Sequence, residues 1–238
     1  MGKIYKYKNI LQFRVESIKE LKVIVNHFDN FPLITNKRAD YELFIKTYDI
    51  VISKEHLNEN GLKKIVALKA SLNKGLSDKL KIVFSDIVPV DRPLVQDQYI
   101  SDPFWLAGFT TAEGCFFINL NKSSTTKTGF SVSLRFTITQ HYRDEKLIKS
   151  LIKFFDCGNI YFHRKTVDYV VRDYSSIKNI INLFFLKYPI EGVKSQDFKD
   201  FCKVAEMMYN KEHLTFQGLN QIRIIKAGMN KKSTLLSN

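Results

Sequence analysis

Two stretches of this chain are copies of one another, so the chain must fold as two versions of one unit. Phe31 to Leu57 matches Tyr188 to Leu214 over 27 residues without a gap, and both segments close on Lys-Glu-His-Leu. Pro32 aligns with Pro189, Lys37 with Lys194, Asp40 with Asp197, Tyr41 with Phe198 and Phe44 with Phe201, at an offset of 157. The match runs on through Gly61/Gly218, Ile65/Ile222, Lys69/Lys226 and Asn73/Asn230. Upstream, Gly2 to Tyr5 matches Gly158 to Tyr161 at an offset of 156. Self-similarity of this length marks a duplication. Residues 1–83 form the first repeat, 84–101 (with Pro89 and Pro93) the connection, and 102–238 the second repeat. By the same offset the counterpart of Glu113 falls roughly forty residues before Met1. The first repeat is therefore expected to be truncated, without its first helix, first hairpin and first connecting helix.

The second repeat shows the order of elements. Asp102-Pro103 supplies an N-cap and a proline at the first helical position, and Gly114 is a candidate C-cap. From Cys115 to Lys122 the residues alternate, with Phe116, Ile118 and Leu120 on one face. From Phe130 to Ile138 they alternate again, with Phe130, Val132, Leu134, Phe136 and Ile138 inward. Period-two patterning predicts a half-buried antiparallel hairpin with a long polar turn, Ser123 to Gly129. A helix over 144–155, a second hairpin (159–164 and 167–174) and later helices over 195–209 and 217–229 complete the unit. In the first repeat the pattern predicts a hairpin (3–7 and 10–15) and helices over 17–28, 37–52 and 60–72. The fold class is α+β.

Charge narrows the partner. Lys and Arg number 37 against 24 Asp and Glu, a net of +13, which favours a polyanion because each neutralised phosphate releases counterions. Cys115, Cys157 and Cys202 stand far apart, which argues against a zinc knuckle or a disulfide framework. The longest apolar run, 180–186, is far short of the roughly 20 residues that cross a bilayer, and no signal-peptide core opens the chain.

The chemistry concentrates in Trp105-Leu-Ala-Gly-Phe-Thr-Thr-Ala-Glu-Gly114, an apolar helix with small residues (Ala107, Gly108, Ala112) that ends in one carboxylate. A carboxylate at a helix C-terminus faces the negative end of the dipole, and a bound divalent cation reverses that penalty. This stretch, with Ala112-Glu-Gly-Cys-Phe-Phe117, Thr137-Ile-Thr-Gln-His141, Gly192-Val-Lys194 and the paired Lys-Glu-His-Leu segments, resembles the LAGLIDADG homing endonucleases, and within them the single-chain I-OnuI-like group.

The resemblance implies a pseudo-twofold fold of αββαββα repeats whose curved antiparallel sheets lie in the DNA major groove. It implies an intron-encoded, site-specific endonuclease of the mitochondrion that hydrolyses both strands of a long asymmetric site with Mg2+ or another divalent cation. Glu113 matches the metal ligand, assisted by the Ala112 carbonyl. Gln140 matches a residue that orders water, and Lys194 and Lys37 match basic residues near the scissile phosphates. By face parity, the base-reading candidates on the first hairpin are Phe117, Asn119, Asn121, Ser131, Ser133, Arg135 and Thr137. On the next they are Tyr161, His163, Lys165, Asp168, Val170 and Arg172, and in the first repeat Tyr5, Tyr7, Gln12 and Arg14. Lys122 and Lys127 are candidates for phosphate contacts. His56 and His213 are expected to be structural.

Double-stranded DNA is the expected partner, with a monomer if the chain is full-length and a dimer as the route for a truncated one. Two alternatives belong to other classes. One is a maturase that acts on its host intron RNA, and the other is a DNA-binding remnant that does not cut.

Overall fold

The computed structural model describes residues 2–8 and 10–230. The chain divides into two compact units that meet between Gln98 and Tyr99.

The second unit opens with α5 (Pro103–Glu113), capped by the Asp102 carboxylate, which accepts the Phe104 N–H at 2.8 Å. The helix runs straight into β3 (Gly114–Lys122), which pairs with β4 (Phe130–His141) across the register Phe116↔Phe136. α6 (Glu145–Phe155) leads to β5 (Asn159–Phe162) and β6 (Thr166–Val171), giving an antiparallel sheet ordered β3-β4-β6-β5. Both strands of this second hairpin are shorter than their sequence pattern, because residues 163–165 form the turn after β5 and a helix begins at Tyr174 after β6. The Asp173 side chain caps it through the Ser176 N–H at 2.7 Å. α7 (Tyr174–Ser176) continues through a π-helical turn, Ile177–Ile181, into α8 (Asn182–Lys187). α9 (Lys194–Tyr209) and α10 (Phe216–Gly228) follow.

One face of this sheet makes the core. Phe116, Leu134, Phe136, Ile138, Val167, Tyr169 and Val171 are buried against Leu147, Ile148 and Leu151 of α6, Phe185 of α8, and Phe198 and Phe201 of α9. Phe116 is the hub, with its ring 5.1–5.9 Å from those of Phe136, Phe185, Phe198 and Phe201. The apolar run at 180–186 is core helix, with Ile181 and Phe185 fully enclosed.

Gly114 caps α5 as expected, its N–H donating to the Thr110 carbonyl, and does so in an extended conformation, φ −75° and ψ 158°, that opens β3. Glycine is needed there for space, since a Cβ would lie 2.4 Å from Thr110 Cγ2 and 2.8 Å from the Thr110 carbonyl oxygen. Of the small residues on α5, Ala107 is buried, as are Leu106 and Thr110, while Gly108 and Ala112 are exposed along with Phe104.

The first unit holds a two-stranded ribbon, β1 (Lys3–Tyr7) and β2 (Ile10–Arg14), then α1 (Ile18–Asn30), α2 (Lys37–Ile52), α3 (Glu59–Ser71) and a short α4 (Asp78–Val83). Ala39, Leu43, Val66 and Leu68 form its buried centre. The segment after α4 is strapped down rather than loose. The Val90 N–H donates to the Ala67 carbonyl at 3.3 Å, and Arg92 donates to the Ser71 and Asn36 carbonyls.

The repeated Lys-Glu-His-Leu is a joint between helices. Lys54 and Lys211 take left-handed φ values of 62° and 60°, each opening a single 3-10 turn. Asn58 and Thr215 then cap the following helix through the Gly61 and Gly218 N–H groups. Nδ1 of His56 and of His213 is buried in this joint, and burial lowers the pKa of His213 against an opposing backbone hydrogen bond at Met207.

Candidate functional site

At the junction of α5 and β3 the Glu113 side chain is exposed, with no hydrogen bond or ion pair among the described residues. It stands at the helix C-terminus, where the last carbonyls and the carboxylate add negative charge in one place. The Ala112 peptide beside it is exposed as well. Lys194, the first residue of α9, reaches back and donates from Nζ to the Gly114 carbonyl, so a fixed ammonium sits one peptide from Glu113. Gln140 lies on the core-side parity of β4, two positions beyond Ile138, the partner of Gly114. It is half-buried at the end of the sheet that α5 enters.

Among the described residues no cluster of three or more His, Cys, Asp or Glu side chains could hold a metal by itself. One carboxylate with neighbouring carbonyls is instead the partial, hard-oxygen donor set that suits a divalent cation completed by water and phosphate oxygens.

The other face of the sheet is polar, as its alternation predicts. Asn119 stands opposite Ser133, Asn121 opposite Ser131 and Phe117 opposite Arg135. Arg135 lies over the Phe117 ring at 4.4 Å, and its Nε is buried without a protein partner. On the neighbouring strands Asp168 faces Thr139 on one side and Tyr161 on the other. His163 Nε2 is 3.1 Å from Asp168 Oδ2, while Asp168 Oδ1 is buried and unpartnered. Arg172 covers the Tyr161 ring at 5.1 Å. The side chains that this face presents are thus mostly polar, with Asn119, Asn121, Ser131 and Ser133 paired across β3 and β4.

Some candidates are covered in spite of their parity, and one lies outside a strand. Val170 and Thr137 lie on this face but are only 4% and 8% exposed, so Val170 offers nothing to a ligand. Lys165 is in the β5–β6 turn, where its carbonyl accepts the Tyr142 N–H at 3.1 Å, so strand parity does not govern it. Lys122 and Lys127 are exposed around the β3–β4 turn. In the first unit Tyr5, Tyr7, Gln12 and Arg14 share one exposed face of the ribbon. Arg14 donates to Gln12 at 2.9 Å and lies 4.9 Å from the centre of the Tyr5 ring.

Sequence reasoning missed two residues, Asp197 and Asn230, which appear in the repeat only as aligned positions. Asp197 Oδ1 accepts the Asn230 N–H at 2.9 Å, and Asn230 Nδ2 donates to the Phe116 carbonyl at 3.0 Å. The first unit repeats the backbone joint, with a different use of the asparagine side chain. Asp40 Oδ1 accepts the Asn73 N–H at 2.9 Å, and Lys37 Nζ lies 3.2 Å from Asp40 Oδ2 and 2.6 Å from Asn73 Oδ1. Arg92 Nη1 adds a 2.6 Å contact to Asp40.

Burial alone pushes the Asp40 carboxyl up. The Arg92 guanidinium, the Asn73 N–H and the Lys37 ammonium outweigh that and hold it well below the ordinary carboxylate range. A depressed folded-state pKa stabilises the fold above the unfolded value of 3.8, and that contribution is lost as pH falls below it. Asp40 is therefore expected to make the first unit acid-labile. Thermal melts should fall steeply below pH 3.8 in the wild type and less steeply in Asp40→Asn; parallel curves would refute this.

The chain resembles known proteins along most of its length. The sequence matches the family model described as LAGLIDADG endonuclease over residues 1–48 and 106–205. It is 39% identical over 230 residues to "Probable intron-encoded endonuclease 3" of Neurospora crassa, covering 94% of this chain and 43% of that protein. It is 38% identical over 241 residues to "Probable intron-encoded endonuclease 2" of the same organism, at 96% and 52% coverage. The chain thus spans about half the length of these curated relatives. Among solved structures it superposes on the I-SmaMI LAGLIDADG homing endonuclease bound to cleaved DNA with a TM-score of 0.94 at 46% identity, covering 97% of this chain and 78% of that one. Another, I-CpaMI bound to uncleaved DNA, gives 0.92 at 42% identity, with 97% and 81% covered. I-SmaMI is also known bound to its uncleaved DNA target in the presence of calcium ions.

Proposed function

Because the chain belongs to the LAGLIDADG endonuclease family, we propose that it is an intron-encoded, site-specific endonuclease that hydrolyses phosphodiester bonds of duplex DNA. The observation that carries this reading is the junction of α5 and β3. There an unpartnered Glu113 carboxylate stands beside the Gly114 carbonyl that tethers the Lys194 ammonium, at the end of a sheet whose outer face carries paired polar side chains.

Glu113, with the Ala112 carbonyl, would hold a divalent cation, Mg2+ under cellular conditions. When bound, it lowers the pKa of a coordinated water and polarises the phosphoryl oxygen. Lys194 carries positive charge toward the phosphate as negative charge develops there, and Lys37 holds the matching position in the first unit. Gln140 orients a water molecule by hydrogen bonding. Asn119, Asn121, Ser131, Ser133, Arg135, Asp168 and Arg172 read base edges in the major groove, where each base pair shows a distinct donor and acceptor pattern. Tyr5, Tyr7, Gln12 and Arg14 do the same from the first unit. Lysines at the turns contact phosphates and carry no sequence information. The mitochondrion is the compartment this reading favours, since one relative is a Podospora anserina protein "in ND4 intron 1", 35% identical over 117 residues.

The test is selection of a duplex from a randomised library in calcium, followed by exchange into Mg2+. Cleavage of the selected site only after exchange is the expected result. Affinity should fall by about 10³-fold or more between roughly 50 and 200 mM salt, as counterion release requires. Selective binding without cleavage in Mg2+ or Mn2+ would leave a binding protein, and no selected site at all would end the reading.

A further inference from the structure

β3 is an outer strand of its sheet, so side chains rather than a neighbouring strand meet its free edge. Lys194 donates to the Gly114 carbonyl and Asn230 Nδ2 to the Phe116 carbonyl, alternate groups along that edge. The Asn230 side chain grips the strand twice, because its Oδ1 also accepts from the Cys115 thiol at 3.2 Å. Asn230 does so from a left-handed backbone, φ +54°, and its N–H is tied to Asp197 Oδ1 at 2.9 Å. Asparagine tolerates that conformation better than most residues. The first unit repeats the joint, with Asn73 at φ +53° and its N–H 2.9 Å from Asp40 Oδ1. In both copies the aspartate follows its lysine by three residues, and the asparagine follows the aspartate by 33. A joint kept in both copies of a duplication, at the same distance and backbone angle, is more than a local accident of a chain end.

We infer that Asp197 and Asn230 are positioning residues for the Glu113 carboxylate, pinning the first residues of β3, to which Glu113 is directly fused. Asp197 fixes the backbone of Asn230, Asn230 fixes Cys115 and Phe116, and Lys194 fixes Gly114 between them. The carboxylate itself makes no protein contact, so its placement depends on the peptide that follows it. This rests on the reading of Glu113 as a metal ligand. Partners one shell beyond a ligand set its orientation and hence its affinity.

The test uses the whole chain, Mn2+ alone as the probe, and amide NMR, so it needs neither a DNA target nor turnover. Paramagnetic broadening of the Glu113 and Gly114 amides reports occupancy of the site. Asn230→Gly keeps the left-handed backbone and the N–H to Asp197 while deleting the side chain. It is expected to raise the Mn2+ concentration for half-broadening about 10- to 100-fold, with the melting temperature little changed. Asp197→Asn retains an oxygen acceptor and should stay close to wild type, whereas Asp197→Ala should behave like Asn230→Gly. A purely structural role would not separate metal affinity from melting temperature in this way. Equal Mn2+ titrations for wild type and Asn230→Gly would overturn the inference alone. No broadening at Glu113 in the wild type would overturn the metal reading and this inference with it.

Discussion

Replacing Glu113 with glutamine is expected to reduce DNA cleavage by about 10³-fold or more, since several kcal/mol of transition-state stabilisation depend on an anionic ligand. Binding of the selected duplex in calcium should change little, because the base-reading and phosphate contacts lie elsewhere. Stability should hold or rise slightly. The side chain is exposed and unpartnered, and removing its charge relieves repulsion at the negative end of α5. The measurement is nicking and linearisation of a plasmid that carries the selected site, beside a binding titration and a melt of the same protein. A variant that cuts within about tenfold of wild type would remove Glu113 from the chemistry.

The second large effect concerns the fold. Phe116→Ala should destabilise the second unit by about 4 kcal/mol, in the range found for truncating an enclosed aromatic. Its ring is fully buried among Phe136, Phe185, Phe198 and Phe201, which come from a neighbouring strand and two helices, so no single movement can close the cavity. The adjacent Phe117 makes the contrast. It points to the opposite face and packs under the Arg135 guanidinium, so Phe117→Ala should cost far less. Chemical denaturation of both variants separates the two faces of β3. Similar losses, or a Phe116→Ala loss under about 1 kcal/mol, would show that the core does not turn on this residue.

The contrast between Phe116 and Phe117 also shows how far one-dimensional information reaches. The duplication, the period-two strands and the capped helix at Asp102-Pro103 depend on residues near one another in sequence. Parity along a strand assigns faces whatever lies across the sheet. Hence the polar face with Asn119, Ser133 and Arg135, the core face with Phe116 and Phe136, and the helix that delivers Glu113 could all be read before any coordinates. Parity says which way a side chain points, but not what covers it. Val170 sits on the predicted face and is closed off, and of the small residues on α5 Ala107 is buried while Gly108 is exposed.

What the amino-acid order could not show depends on long separations. Asn230 meets Phe116 across 114 residues, Lys194 meets Gly114 across 80, and Arg92 meets Asp40 across 52. No local preference encodes such pairings. The first two exist because packing the helices on the sheet brings α9 and the residues after α10 to the bare edge of β3, where two carbonyls need donors. The repeat pointed to Asp197 and Asn230 without giving them a task, because aligned positions carry no distances. Local patterning thus determined the elements and their faces, while the close packing of distant segments determined which side chains hold the peptides that follow Glu113.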